Sequence, residues 1–105
     1  MLRLSYGDRV ADPTDARIRE ALARLDVGRD GEGFAILHRD EMTYIQVGGD
    51  KGRGFDMEYQ LGSIQEHYRA KREDFTLEEV VRALGEYRDG SIDWSDYGEW
   101  SRITW

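Results

Sequence analysis

Apolar residues recur at helical spacing in two stretches of the chain, which predicts two amphipathic helices. In the first stretch the spaced apolar positions are Ile18, Leu22 and Leu25. Asp12 and Pro13 precede them, and Gly28 follows. Aspartate caps helix N-termini, proline fits the first helical position and glycine commonly ends a helix, so we expect a helix over about residues 13–27.

A capping box introduces the second helix. Thr76 and Glu79 lie three positions apart, so the hydroxyl and the carboxylate can each accept a hydrogen bond from a backbone amide at the helix start. Phe75 precedes the box as a hydrophobic staple, and Gly90 supplies the stop. The inward face is predicted to be Val80, Val81, Leu84 and Tyr87. Together these signals predict a helix over about residues 76–89.

Four short runs rich in β-branched and aromatic residues lie between the two helices. They predict strands over about residues 33–39, 42–48, 54–61 and 64–70. Asp40-Glu41 and Gly62-Ser63 have the length of two-residue hairpin loops. We therefore expect consecutive strands to pair as an antiparallel meander.

The two ends of the chain add further strand signals. Leu2, Leu4 and Tyr6 alternate with polar residues, which predicts a short first strand. All three tryptophans lie in the tail, residues 91–105, which should fold either over the open end of the core or across the other face of the sheet. The expected fold is α+β in a single domain, residues 1–105: an antiparallel meander sheet of four or five strands with two amphipathic helices packed on one face.

Strand register decides which side chains share a face of this sheet. If Leu61 pairs with Ile64, then Glu58 lies opposite His67. The core face then collects Phe34, Ile36, Ile45, Val47, Phe55, Met57, Tyr59, Leu61, Ile64 and Tyr68. The other face collects Leu37, Met42, Tyr44, Gln46, Asp56, Glu58, Gln60, Gln65, His67 and Arg69. Because this second face mixes apolar, amide and charged groups, it is either a solvated surface or a binding surface.

Composition narrows the classes of function. The formal net charge of −7 argues against nucleic-acid binding, which needs a basic surface to displace counterions from phosphates. No run approaches the ~18 consecutive apolar residues of a membrane span, and the alternating start is no apolar signal segment. The absence of cysteine excludes disulfides, thiolate zinc sites and cysteine nucleophiles. We therefore expect a cytoplasmic protein that binds neither nucleic acid nor membrane.

Two segments resemble ligand-binding loops, but each lacks an essential feature. Gly48–Gly54 combines glycines with two cations, yet a predicted strand follows it where a phosphate-binding loop needs a helix. Asp89–Trp100 places oxygen ligands at the first, third and fifth positions of a calcium loop, but Trp94 replaces its glycine and Trp100 its glutamate. We predict a hairpin loop at the first segment, no cofactor and no metal site.

Glu58 and His67 are the pair best suited to acid–base chemistry. A cross-strand ion pair would explain them without any function. The alternative is an acid–base couple in a shallow pocket roofed by the tail, because a carboxylate can hold a histidine near neutrality. That alternative would make the chain a small hydrolase or a ligand-binding protein. Since no nucleophile accompanies the pair, we assign no catalytic residue and expect a protein that is not an enzyme.

Several short segments together carry a resemblance to a known class of proteins. They are Thr43–Val47, Gly54-Phe55, Glu58–Gln60, Gly62-Ser63 and Trp100–Trp105. Their order resembles that in small, mostly uncharacterised bacterial α+β proteins, the kind that accompany polymorphic and contact-dependent toxins as immunity proteins. The resemblance covers roughly residues 33–105, and its motifs are unspecific.

This resemblance implies a cytoplasmic inhibitor that binds a toxin domain, often a basic nuclease, and blocks its active site. An acidic surface would steer such an association. On the mixed sheet face, the predicted partner-binding residues are Tyr44, Gln46, Asp56, Glu58, Gln60 and His67. A homodimer that buries this face against a second copy is a further alternative.

Overall fold

The computed structural model describes residues 1–26 and 33–104. Their strands are β1 (Leu2–Leu4), β2 (Arg9–Val10), β3 (Phe34–Asp40), β4 (Thr43–Asp50), β5 (Gly54–Leu61), β6 (His67–Ala70) and β7 (Trp100–Arg102). Their helices are α1 (Asp15–Ala23) and α2 (Leu77–Arg88), with short 3₁₀ helices at Ile64–Glu66 and Asp93–Tyr97.

The described strands form one antiparallel sheet in the order β2-β1-β3-β4-β5-β6-β7. The α+β class is as expected, but the prediction of four or five strands is wrong, because the sheet has seven. The strands at its two edges, β2 and β7, have only two and three residues. A run as short as β2 carries too little alternation to be recognised, and it becomes a strand by pairing with β1, whereas β7 extends the sheet by pairing with β6.

Both helices begin at threonine caps. The Thr14 side chain accepts a hydrogen bond from the Arg17 amide at 3.2 Å, so α1 begins after Thr14 and the expected cap, Asp12, lies before it. The backbone leaves the α-helix at Arg24, before the predicted end at residue 27. The predicted stop, Gly28, lies outside the described residues. The second helix shows the predicted capping box, with Thr76 and Glu79 bonded reciprocally.

One hydrophobic core joins the two helices to one face of the sheet. Its sheet residues include Leu2, Leu4, Ala35, Leu37, Ile45, Val47, Phe55, Met57 and Ala70. From the helices come Ile18, Ala21, Leu22, Val80, Val81, Ala83, Leu84 and Tyr87. We call this side of the sheet the helix-covered face. Neither helix in the described residues has the length and apolar composition needed to cross a lipid bilayer.

Strand β3 presents the face opposite to the one predicted. His38 pairs with Tyr44, but the next pair is Asp40 with Thr43, so Arg39 is an extra residue in a β-bulge. A shift of one residue moves every side chain to the other face, and Leu37 is therefore in the core. The residues wrongly predicted for the core face are Phe34 and Ile36, and for the other face Leu37.

The bulge also directs Arg39 toward the helices. Its guanidinium lies over the Tyr87 ring at 4.4 Å and donates a hydrogen bond to the Tyr87 carbonyl at 3.0 Å. In the predicted two-residue hairpin at Asp40-Glu41, without the bulge, Arg39 would make neither of these contacts with Tyr87. Met42, predicted beside Tyr44 on the mixed face, lies in the connecting turn and is 40% exposed.

The register between β5 and β6 also differs from the prediction. Gln60 pairs with His67 and Glu58 with Arg69, which is two positions away from the predicted pairing. The cause is the 3₁₀ turn over Ile64–Glu66, which replaces the first part of the predicted strand 64–70. A shift of two leaves each side chain on its predicted face. The prediction that Leu61 and Ile64 lie in the core is wrong, because these side chains are 50% and 47% exposed.

The tail folds onto the helix-covered side and extends the sheet. Trp94 is 6% exposed and makes edge-to-face contacts with Tyr59 and Tyr87, at 4.9 and 5.6 Å between ring centroids. Trp100 begins β7, which pairs with β6. Of the two paths left open by the sequence, the described part of the tail therefore takes the one over the core. Trp105 lies outside the described residues.

The Gly48–Gly54 segment forms a hairpin: Gly48, Gly49 and Asp50 end β4, Gly54 begins β5, and residues 51–53 form the turn between them. The Asp50 carboxylate accepts hydrogen bonds from the amides of Gly52 and Arg53 at 3.0 and 2.8 Å. Gly49 has a positive φ of 99°, and a Cβ there would lie 2.3 Å from the Gly54 carbonyl oxygen. The segment thus uses its glycines for close backbone approach within a turn.

Candidate functional site

No helix or strand of the described residues packs on the sheet face opposite the helices, which we call the open face. Strand pairing arranges its positions in three rows across the sheet. The middle row contains Arg9, Arg3, Ile36, Gln46, Glu58, Arg69 and Ser101. A second row contains His38, Tyr44, Gln60 and His67, and a third contains Phe34, Gly48 and Asp56.

The structure brings all six predicted partner-binding residues onto this open face. They are Tyr44, Gln46, Asp56, Glu58, Gln60 and His67. Sequence reasoning missed Phe34 and Ile36 because the bulge in β3 reversed their face. It also passed over Arg3, although the alternation of Leu2 and Leu4 already placed Arg3 away from the core. Arg9 lies in a two-residue strand and had no such signal.

The second row is held together by hydrogen bonds around a buried amide. Gln60 is 3% exposed, and its Nε2 donates to the Met42 carbonyl at 3.1 Å. Its Oε1 accepts from the Tyr44 hydroxyl at 3.4 Å and lies 3.0 Å from Nδ1 of His67. In this arrangement Nδ1 carries the proton. The row therefore presents Tyr44 from a fixed position, and ring contacts with His38 and His67 support it from both sides.

Glu58 and His67 lie diagonally across β5 and β6. The Glu58 Oε1 and His67 Nε2 atoms are 3.8 Å apart, so the two residues form an ion pair when the histidine is protonated. Five surface cavities of about 360 to 730 Å³ are lined by described residues, and neither Glu58 nor His67 lines any of these five. The acid–base couple of the enzymatic alternative thus lines none of these five cavities.

Burial raises the pKa of two open-face groups. The Tyr44 hydroxyl has a raised pKa, first because of burial and then because of the Glu58 carboxylate nearby. The Asp56 carboxyl also has a raised pKa because of burial, which outweighs the opposing effects of Arg69 and the Gly48 amide. Gly48 makes room for this carboxylate, since a Cβ there would lie 2.9 Å from Asp56 Oδ1. A partly buried acid of this kind costs folding stability.

Two grooves indent the open face. One of about 580 Å³ lies along the third row and is lined by Phe34, Gln46, Gly48, Asp56 and Arg69 among others. The second, of about 650 Å³, is lined by Arg3, Arg9, Ile36, His38 and Tyr44 among others. Both grooves join apolar or aromatic side chains to charged ones.

The open face carries charges of both signs. Asp56 and Glu58 lie on β5, where the sequence predicted them, but the face also contains Arg3, Arg9 and Arg69. The acidic net charge of the chain is therefore not concentrated on the open face. A partner complementary to this surface needs both acidic and basic groups. Among the described residues no group of three or more His, Asp or Glu side chains is arranged to hold a metal ion.

The fold and the open face define a two-layer α+β protein, with an antiparallel sheet covered by helices on one side. Comparisons of this chain with protein-family models, with curated proteins and with solved structures find no match.

Proposed function

We propose that this chain is a protein-binding module, without enzymatic activity, that uses its open face. The observation that carries the proposal is the position of apolar and aromatic residues there. Ile36 lies next to Gln46, the central position of the middle row, with Phe34 and Tyr44 in the adjacent rows. An antiparallel sheet tolerates one solvated face, but solvation alone does not call for such side chains near its centre.

The side chains of the open face also suit rapid and specific binding of a partner protein. Tyrosine, arginine and apolar residues are the usual anchors of protein interfaces, and charged groups surround them here. The hydrogen bonds of Gln60 hold Tyr44 in place before any partner arrives. Binding then orders fewer side chains and loses less conformational entropy.

In its specific form, the proposal is a cytoplasmic immunity-type inhibitor that occupies a bacterial toxin domain. This form rests on the resemblance of the segments between residues 33 and 105 to immunity proteins. The net charge of −7 supports it, because a negative protein is steered toward a basic toxin from a distance. The arginines of the open face then act at short range, where individual charges determine the fit.

Co-expression with the product of the neighbouring gene tests the proposal. We expect the two proteins to copurify, and we expect Phe34→Ala and Tyr44→Ala each to weaken the complex by about tenfold or more. Ile92→Ala is the control, because Ile92 is 76% exposed and lies in the tail, away from the open face. Circular dichroism would verify that every variant is folded.

Different outcomes reject different parts of the proposal. If both open-face variants are folded and bind as well as the Ile92 control, the open face is not the interface. If the complex forms but co-expression fails to protect cells from the toxin, the inhibitor form fails and the binding module remains. If light scattering at micromolar concentration shows a dimer that the open-face variants disrupt, the homodimer replaces the toxin complex.

A further inference from the structure

Two arginines of like charge face each other at the edge of the open face. Arg3 and Arg9 are direct partners across β1 and β2, and both side chains belong to the middle row. Like charges in this position destabilise a strand pair. Neither arginine forms an ion pair with a described residue, whereas most other arginines of the described chain, such as Arg72 and Arg88, do.

These arginines line one end of the 650 Å³ groove, next to an apolar and aromatic floor. Ile36 in that floor is directly opposite Arg3 and is 8% exposed. Two acids also line the groove: Asp40, the last residue of β3, and Glu41, in the turn that follows. The Asp40 carboxylate accepts a hydrogen bond from the Met42 amide at 2.9 Å. The groove therefore brings two arginines that form no ion pair with a described residue beside an apolar surface.

We propose that this groove receives an acidic segment of the partner polypeptide, with its carboxylates bound by Arg3 and Arg9 and an apolar side chain on Ile36. The inference rests on the proposed function and specifies the partner's chemistry at one end of the open face. Guanidinium groups bind carboxylates through two parallel hydrogen bonds. A bound carboxylate also relieves the repulsion between the two arginines, which adds to the free energy of binding.

The opposite charges farther along the row determine how the partner lies on the face. Arg3 and Glu58 occupy the same row three strands apart, a separation of about 14 Å. A partner with an acidic group over β1 and a basic group over β5 matches both. The reversed orientation brings like charges together at both ends and is disfavoured.

A polypeptide fits this surface better than a nucleic acid. A phosphate backbone would meet Asp56 and Glu58 on the same face, and the whole chain carries a net charge of −7. Both features repel a polyanion such as a phosphate backbone. A polypeptide segment with a few carboxylates at one end can bind without approaching Asp56 and Glu58.

The test uses a short synthetic peptide that alternates glutamate with leucine. Calorimetry measures its dissociation constant, and nuclear magnetic resonance of the arginine Nε groups locates it on the protein. We expect Arg3→Gln and Arg9→Gln each to weaken the peptide about tenfold. Arg17→Gln, the matched control, changes the constant by less than about twofold, because Arg17 is exposed on α1, off the open face.

Three outcomes overturn the inference. Equal weakening by the Arg17 control would mean that the peptide responds only to diffuse charge. Equal affinity for the same peptide with lysine in place of glutamate would mean that carboxylates are not recognised. Displacement of the peptide by sodium phosphate at the same concentration would mean that the groove binds phosphate.

The toxin complex separates this inference from the proposed function. If Tyr44→Ala breaks the complex but Arg3→Glu and Arg9→Glu leave it intact, the binding module stands and the acidic-segment inference falls. If the charge reversals break the complex and the lysine substitutions Arg3→Lys and Arg9→Lys retain it, the inference is supported. If the peptide binds at both arginines but no toxin complex forms, the groove still binds acidic segments. The proposal that the chain is a toxin inhibitor is then rejected.

Discussion

The two faces of the sheet are built from the same strands but differ in burial and charge. On the helix-covered face Ile45, Val47, Phe55 and Met57 are completely buried. The open face is mixed: Ile36 and Gln60 are buried, whereas Tyr44 is only partly buried and charged groups lie beside it. The hydrophobic burial that stabilises the fold therefore comes mainly from the helix-covered face, and apolar surface remains accessible on the open face.

A matched pair of phenylalanine truncations tests this division with the largest expected effect. Phe55→Ala, on the helix-covered face, should lower the free energy of unfolding by about 3–5 kcal/mol. Phe34→Ala, on the open face, should lower it by only about 1 kcal/mol because Phe34 is already partly exposed. Urea denaturation measures both values.

Equal losses for the two variants would contradict the comparison and show that the open face is covered in the folded protein. If Phe55→Ala does not fold, Phe55→Leu supplies a milder truncation at the same position. Its loss should still exceed that of Phe34→Leu.

The hydrogen bonds of the second row give the next largest effect. Gln60→Leu should cost about 1–3 kcal/mol, because the Met42 carbonyl and the Nδ1 of His67 lose a buried partner. Tyr44→Phe is the matched control and should cost less than about 0.5 kcal/mol, since it removes one long bond from a partly exposed hydroxyl. Thermal unfolding of both variants measures the difference. Similar costs would mean that Gln60 does not organise the row.

On the helix side, the capping box of α2 should make stability depend on pH. Glu79 is bonded to Arg72 and to the Thr76 amide, and these contacts lower its pKa from 4.5 to about 2. A lowered pKa stabilises the fold above pH 4.5, and this contribution is lost as the pH falls toward about 2. Glu79→Gln should cost about 1 kcal/mol at neutral pH and flatten the acid dependence.

The control for this prediction is Glu20→Gln, at an exposed glutamate on α1 that lies outside the capping box. Denaturant midpoints from neutral pH down to acid give both curves. An unchanged slope in Glu79→Gln would show that the capping box does not carry the pH dependence.

The smallest effect is expected at Asp56, where stability and binding should separate. Its carboxyl has a pKa raised by burial, so its ionisation weakens the fold as the pH rises through that pKa. Asp56→Asn keeps an acceptor for the Gly48 amide and should raise stability at neutral pH by no more than about 0.5 kcal/mol. The same variant should weaken the proposed partner complex, as a binding assay would show. A clear loss of stability would indicate a structural role for the carboxylate instead.

Local patterns in the sequence sufficed for the second helix and for most of the candidate site, but they misplaced the cap and the end of the first helix. The Thr76 and Glu79 capping box lies within one helical turn, so its residues act without distant partners. Alternation along β4 and β5 likewise placed Tyr44, Gln46 and Glu58 on one face. The wrong register between β5 and β6 did no harm to these assignments, because an error of two positions preserves the face.

In β3 the predicted register was wrong by one position, which placed the side chains of this strand on the wrong face. The extra residue, Arg39, has no local signature, because its bulge depends on the Tyr87 ring and carbonyl far along the chain. The sequence therefore reversed Phe34 and Ile36, and it missed these apolar side chains near the centre of the open face. It also missed Arg9, which joins the open face only through the pairing of β2 with β1.

By itself the sequence determined the features that arise within a few neighbouring residues: the capped helix, the alternating central strands and the six residues of the candidate site on one face. Tertiary structure alone decided the edge strands, the bulge, the path of the tryptophan tail and the arginine pair on the open face. The physical reason is the separation along the chain of the residues that interact. Capping and alternation are stabilised locally, whereas register and edge pairing depend on contacts between residues that only the folded chain brings together.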